Sequence, residues 1–436
     1  MHCVSTRGSA PAVPIASALQ AGLAPDGGLY LPAALPHLTP ADCAAAATPA
    51  QLATQLLAPF FADDALAPAL ADCCAQAYAQ PLPLCPLHGH GDHVLELFHG
   101  PTCAFKDIAA RFLAAALAQL RPAQAAPLTV LVATSGDTGS AVAAAFHRRT
   151  GFRVLILYPQ DGVAPRQAHQ LGAFGDNVRT LCVAGSFDDC QRLVKHALAD
   201  AALRARLALT SANSISLGRL LPQIGYHAWA ALSHWRRSGR ALSLIVPTGN
   251  LGDALAAVLA RRIGLPIGRI VLACNANDTL PRYFAGADYQ PQAARRTLAN
   301  AMDVGAPSNF ERLRALYADD AALRADLQAY TVDDAAIMTT LREAESRHGL
   351  LPCPHTATAL HVLQQLRAQG ERDDWAVLAT AHAAKFAEVV EPAFGYAVPV
   401  PPALAALLAR PSHAEPLAAS DDALRAVLAA LADAPA

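Results

Sequence analysis

Residues 128–146 read LTVLVATSGDTGSAVAAAF. The first six are a mainly apolar run without polar alternation. The next six are small and polar, with two glycines, and the remainder is helical in composition and spacing. A short apolar run that ends in turn residues and feeds a helix fits a strand covered on both faces, the kind found in parallel sheets. FRVLILYP (152–159) repeats the run, APRQAHQLGAF (164–174) the helix and VRTLCVAG (178–185) a third run. FDDCQRLVKHALAD follows, with Phe187, Leu193, Val194, Ala197 and Leu198 at helical spacing. Farther on, LSLIVP (242–247), TGNLGD, ALAAVLARRIG and RIVLACN (269–275) give strand, loop, helix and strand again. The alternation predicts an α/β protein with parallel sheets.

Around these units the chain divides by composition. Residues 1–85 are rich in Ala, Pro and Leu, with helical patches such as TPAQLATQLLAPFF, and PLPLCPLHGHGDH (81–93) reads as a connector. The α/β pattern occupies 86–401, with a smaller lobe at about 128–235, and 402–436 reads as a peripheral helical tail. Length alone suggests about three domains for the 436 residues. No repeat at solenoid periods is visible.

The net charge is -2, and 16% of the residues are charged against 53% hydrophobic, so neither nucleic acid nor an anionic membrane is expected as partner. Apolar runs such as FLAAALAQL are too short to span a bilayer, and MHCVSTRGSAPAVP lacks the pattern of a secretory signal. Ten cysteines without a C-x-x-C pair are expected to be free thiols in a reducing cytoplasm. Oligomeric state leaves no sequence signature, and a monomer or homodimer is expected.

In such folds ligands gather beyond the C-terminal ends of strands, where loops feed helix N-termini. Both glycine loops fall there. TGNLGD offers turned backbone N–H groups and a helix dipole, which suit a phosphate. It is neither a P-loop nor G-x-G-x-x-G. SGDTG offers Ser135, Thr138 and further N–H groups, which suit a carboxylate, while Asp137 could simply cap its helix. A third stretch, HGPTCAFKD (99–107), puts Lys106 at the start of a helical pattern, where the macrodipole disfavours a cation. Burial beside Phe105 and that dipole would both lower its pKa and make a neutral amine available, as Schiff-base chemistry requires. The aldehyde that also needs a phosphate cradle is pyridoxal 5'-phosphate.

FHGPTCAFKD, ATSGDTGSA, VPTGNLGD and TAHAAKF together resemble the signatures of the threonine synthases. STRG (5–8), GLAPDGGLYLP (22–32), NSISLGRLLPQ (213–223) and MDVGAPSNFERL (302–313) match in the same order, to about residue 395. The resemblance implies a fold-type-II pyridoxal-phosphate enzyme, tryptophan synthase β-like, with two open parallel-sheet lobes and a family-specific N-terminal region. It implies conversion of O-phospho-L-homoserine and water to L-threonine and phosphate, the last step of threonine biosynthesis. Lys106 would carry the cofactor and act as acid and base. Gly249, Asn250, Leu251, Gly252 and Asp253 would hold its phosphate, and Thr380 would face the pyridine nitrogen. Ser135, Gly136, Asp137, Thr138 and Gly139 would face the substrate carboxylate, and Asn213, Ser214 and Arg219 its phosphate. Ser216, Leu251 and Cys353 depart from the family pattern. They bear on pocket shape, and Cys353 is expected to be a packed thiol. His355 and Thr356 are candidates for the cleft lining, and Arg7 for either the cleft or a structural ion pair.

Three rivals remain at this point. A serine/threonine dehydratase of the same fold would not need Arg219. A cofactor-binding relative without turnover would be expected to lack part of this set. Metal-dependent hydrolysis would draw on His88, His90, Asp92, His93 and His99, in a stretch that otherwise reads as a polar loop.

Overall fold

The computed structural model describes residues 1–433 other than His90 and Ala123. β1 (His2–Ser5), β2 (Val13–Pro14) and β3 (Tyr30–Pro32) form a small antiparallel sheet at the N-terminus. β4 (Leu84–Pro86) and β5 (His93–Glu96) follow and pair antiparallel, so the stretch expected to be a connector contains one strand and the first residue of the next. β6 (Leu128–Ala133), β7 (Phe152–Pro159), β8 (Val178–Ala184) and β9 (Ala208–Ser211) are all parallel. β10 (Leu242–Pro247), β11 (Ile267–Cys274), β12 (Leu327–Thr331) and β13 (Trp375–Ala379) are parallel to one another and to β5. β14 (Glu415–Ala418) comes last.

The order in the larger sheet is β12-β11-β10-β13-β5-β4, and in the smaller β14-β8-β7-β6-β9. The two sheets are the expected lobes. β6, β7 and β10 have the bounds of the apolar runs, because interior strands buried on both faces carry the clearest pattern.

Two expected boundaries move. The 402–436 segment is not merely a helical tail: β14 pairs in parallel with β8, and helix Asp421–Asp433 packs on helix Phe187–Ala199. Leu417, Leu424 and Leu428 share a core with Leu181, Val183 and Leu193, so this segment completes the smaller lobe. In the other direction, helix Ile224–Ser238 lies outside that lobe. It packs on helix Pro49–Leu57, in the core that joins the N-terminal region to the larger sheet.

Local signals start the helices that matter. Thr48 and Gln51 form a capping box for helix Pro49–Leu57, and Ser186 with Asp189 does the same for Phe187–Ala199.

Candidate active site

The loops leaving β6, β9, β10 and β13 at their C-terminal ends meet at one cleft of about 960 Å³, counted with its open mouth. Among its lining residues are Lys106, Ser135, Asp137, Thr138, Asn213, Ser214, Arg219, all five residues 249–253 and Thr380. The topology therefore brings together nearly every site residue expected from the sequence.

Lys106 is the first residue of helix Lys106–Leu120. The preceding loop is fixed by backbone contacts to 380–382: Phe105 N–H donates to Thr380 O at 2.9 Å, and His382 N–H to Cys103 O at 3.1 Å. Cys103 sits at φ 56°, unusual for a residue with a side chain. The buried Asp107 carboxylate holds Thr102 through its N–H (2.9 Å) and hydroxyl (2.6 Å). A Cβ on Gly100 would come 2.4 Å from Asp107 Oδ2, so glycine is required there. The lysine side chain is 17% exposed, with Nζ 3.9 Å from Asp137 Oδ2. Burial lowers the pKa of the amine; Asp137 opposes the shift, and Arg219 and Lys385 reinforce it.

The SGDTG loop is tied internally. Gly136 and Gly139 N–H both donate to Thr134 Oγ1 at 2.9 Å. A Cβ on Gly136 would strike Gln167, and one on Gly139 would strike Leu171 and Thr134. These two glycines shape the turn and are not among the lining residues; Ser135, Asp137 and Thr138 present the surface. The Asp137 carboxylate is buried. Burial alone would raise its pKa, but Lys385 and Lys106 hold it well below the usual carboxylate range.

Opposite, Leu251 adopts a left-handed conformation (φ 64°, ψ -2°) just before helix Gly252–Arg262. Such a turn into a helix start points successive N–H groups to one side. Among the described residues the N–H groups of 249–253 donate to no protein acceptor. The nearest atom to a Cβ built on Gly252 is 3.7 Å away, whereas on Gly249 it would lie 2.8 Å from Met302 Cα. Gly249 is thus needed for packing, whereas a Cβ on Gly252 would make only ordinary van der Waals contacts with Asn309, Gln223 and Ser214. The polar side chains of this loop are used structurally. Asn250 bonds Ser214 Oγ and Ser308 N–H (2.5 Å each), and Asp253 accepts from Tyr226 OH at 2.6 Å and lies 2.9 Å from His227 Nε2. The backbone is what is left to hold an anion.

Arg219 is buried on the neighbouring wall, with Nη1 donating to Ala212 O at 2.6 Å and Nε without a partner among the described residues. Burial pulls its pKa down to about 10, so it remains cationic near neutrality. Asn213, expected at the same anion, lines the cleft but uses both ends of its amide on the backbone of Ala133. Ser214 keeps its hydroxyl proton free while its oxygen accepts from Asn250.

His355 lines the cleft; Thr356 is buried and is not among the lining residues. Burial pushes the His355 pKa down to about 4, and its Nε2 accepts from Ala301 N–H at 3.1 Å. The neutral ring therefore carries its proton on Nδ1, which is 3.6 Å from Cys353 Sγ. Burial raises the Cys353 pKa, so it is a packed thiol, and Ser216 is likewise fully buried. Arg7 pairs with Glu311 at 3.5 Å and does not line the cleft.

No group of three or more His, Cys, Asp or Glu among the described residues could hold a metal. Asp92 pairs with Arg367, His93 packs edge-on against His234, and His99 lies 2.7 Å from Glu96; His90 lies outside the described residues.

Several lining residues had no clear signal in the sequence. Phe187 and Gln191 begin a helix that looked purely structural, and Ala301 precedes the recognised MDVGAPSNFERL stretch, whose Met302 and Val304 also line the cleft but had no assigned role. Gln223 lay inside a recognised motif without an assigned role, as did the buried Lys385, which stands behind the lining. A weakly basic lysine, a row of free N–H groups and a buried unspent guanidinium suit an aldehyde cofactor with a phosphate and an anionic substrate.

A family model described as pyridoxal-phosphate dependent enzyme matches residues 81–382, and models of the threonine synthase N terminus and C-terminal region match 2–78 and 356–428. The chain is 39% identical to a threonine synthase of Serratia marcescens over 96% of this chain and 97% of that one. The chain belongs to the threonine synthase family. Threonine synthase structures from Escherichia coli (TM-score 0.92, 36% identity, 99% and 100% of the two chains covered) and Brucella melitensis (0.88, 35%, 100% of both) share its whole architecture. The Brucella melitensis threonine synthase was solved with pyridoxal phosphate bound. The cofactor of this family, pyridoxal 5'-phosphate, fits the residues of the cleft described here.

Proposed function

We propose that the chain converts O-phospho-L-homoserine and water to L-threonine and phosphate in the cytoplasm, as the last step of threonine biosynthesis. The observation that carries the reading is a buried Arg219 with an unspent N–H in the same cleft as a lysine of lowered basicity. Its membership of the threonine synthase family supports the same conclusion. Ten free cysteines suit a reducing compartment.

When bound, pyridoxal phosphate supplies an electron sink for charge developing next to the substrate nitrogen. Lys106 anchors it and, once released, removes the proton from the substrate Cα and later returns one. A single amine can do both because its pKa is lowered towards the working pH. The N–H groups of 249–253 hold the cofactor phosphate. Thr380, which lines the cleft, would offer its hydroxyl to the ring nitrogen and would not enforce a charge there as a carboxylate would. Ser135 and Thr138, with the N–H groups of Asp137 and Thr138 at the helix start, hold the substrate carboxylate. Arg219 and Ser214 bind the phosphate that leaves Cγ as a proton is lost from Cβ, and keep it near the water that adds at Cβ once Cγ has taken up a proton. Asn213 keeps Ser214 in place. The two lobes exclude stray water from the reacting carbon.

The test is phosphate release from O-phospho-L-homoserine by the purified protein, with borohydride reduction and peptide mapping of the bound cofactor. We expect release of phosphate, an adduct on Lys106, and loss of turnover in Lys106→Ala. A protein that deaminates threonine and ignores phosphohomoserine would be a dehydratase instead.

A further inference from the structure

Of the 33 cationic Lys and Arg residues only three are lysines: Lys106, Lys195 and Lys385. Lys195 is exposed. The other two meet at one carboxylate. Lys385 is fully buried in the 3-10 turn Ala383–Phe386, with Nζ 2.8 Å from Asp137 Oδ1 and donating to Thr102 O at 2.7 Å. Asp137 Oδ2 is the oxygen that faces Lys106, at 3.9 Å. Gln167 Nε2 also donates to Oδ1 at 2.8 Å, and Gln167 Oε1 accepts from Asn300 at 3.0 Å. The carboxylate is therefore gripped on one oxygen and offered on the other.

We propose that Lys385 is a positioning residue for Lys106: by holding Oδ1 of Asp137 it fixes the carboxylate beside Lys106 and leaves that lysine a weakened counter-charge. The idea rests on Lys106 being the cofactor lysine. An ammonium in contact with Oδ1 offsets much of the carboxylate's pull on Lys106, and its own charge opposes a second proton nearby. Remove it, and a buried Asp137 is left with Lys106 as its nearest cation. The amine would then hold its proton to higher pH and be a poorer base near neutrality. The other groups facing this cluster are His355, Arg219, Asp253, Asp107, Cys103, Cys353 and His382. None of them contacts Asp137 Oδ1.

The experiment is competitive acetylation of the full-length, cofactor-free chain by acetic anhydride across pH, read by peptide mass, with exposed Lys195 as internal reference. In Lys385→Met the midpoint for Lys106 is expected to rise by about one unit, as expected when a neighbouring carboxylate is unmasked. In the Asp137→Asn background, adding Lys385→Met should raise the midpoint by clearly less, because only the direct repulsion between the two lysines is then removed. A packing role alone would lower stability without this dependence on Asp137. An unshifted midpoint in Lys385→Met overturns the proposal, as does an equal upward shift in both backgrounds. If Lys385→Met does not fold, Asp137→Asn against the double variant decides: a further upward shift of about one unit or more overturns the idea and a smaller one upholds it. Borohydride reduction of the wild-type holoenzyme separates the two readings. An adduct on a lysine other than Lys106 removes the functional reading, whereas an adduct on Lys106 with unshifted labelling removes only this one.

Discussion

Leu251 holds a branched, buried side chain on a left-handed backbone, a conformation that costs about 1–2 kcal/mol for any residue but glycine. Two effects compete on substitution. Leu251→Ala loses roughly 2–5 kcal/mol of packing and gains no relief. Leu251→Gly loses slightly more packing but recovers about 1 kcal/mol of backbone strain. We therefore expect Leu251→Gly to be at least as stable as Leu251→Ala in urea unfolding, against the usual order. Gly252→Ala separates folding from binding at the next residue. Its Cβ has room, so stability should hardly change, but the methyl would occupy the proposed phosphate cradle. Pyridoxal phosphate affinity, followed by visible absorbance, should fall at least tenfold. Lys106 was legible as a cation out of place at a helix start and Gly252 as part of a glycine turn feeding a helix, whereas Arg219 was legible only through the family resemblance. Lys385 was not legible: a lysine in TAHAAKF looks like any solvated cation until the fold brings Asp137 to it from a helix more than half the chain away.

At the scale of elements, Thr134 is the hinge pin of the SGDTG turn, since its hydroxyl oxygen alone accepts both glycine N–H groups. Thr134→Val keeps the shape and strands two buried donors at about 1–3 kcal/mol each. The expected loss is roughly 2 kcal/mol or more in urea unfolding, with a raised KM for substrate. A chain ending at residue 401 should lose protection from hydrogen exchange in β8, whose edge β14 covers, while β10 and β11 keep theirs. Equal protection in both chains would mean the terminal segment is dispensable to the lobe. This segment illustrates what sequence patterns miss. β14 (EPLA) and β12 (LQAYT) are short edge strands with partly solvated faces, so they lack the apolar run that marks β6 or β10. β13 (WAVLA) is central and fully buried, but five residues are too few to separate a strand from a helix fragment.

Across the molecule, burial lowers the pKa of His93, His348, His355, His361 and His382. Each takes up its proton more readily when the chain is unfolded, so stability should fall as pH drops below about 6.5. For His355, whose folded value is about 4, the loss between pH 6.5 and 5 is about 2 kcal/mol. Asp137 acts in a lower window. Its depressed pKa contributes stability that is present above the ordinary carboxylate value and lost as pH falls through the folded one. Urea unfolding at pH 7.5, 6.5 and 5 should show the first loss, and His355→Gln should reduce it by about 2 kcal/mol. A profile flat over that range would contradict the burial of these rings.

The interleaving of the two sheets also bears on how the chain is made. β8 acquires its outer neighbour, β14, only after the whole of the larger sheet has been synthesised, and β5 acquires β13 nearly as late. On the ribosome each lobe must wait with an open strand edge while the rest emerges, and such edges are where nascent chains pair wrongly or recruit chaperones. Pairings such as β6 with β7, β7 with β8 and β10 with β11 can close early, so it is the last edge of each lobe that waits for the end of the chain.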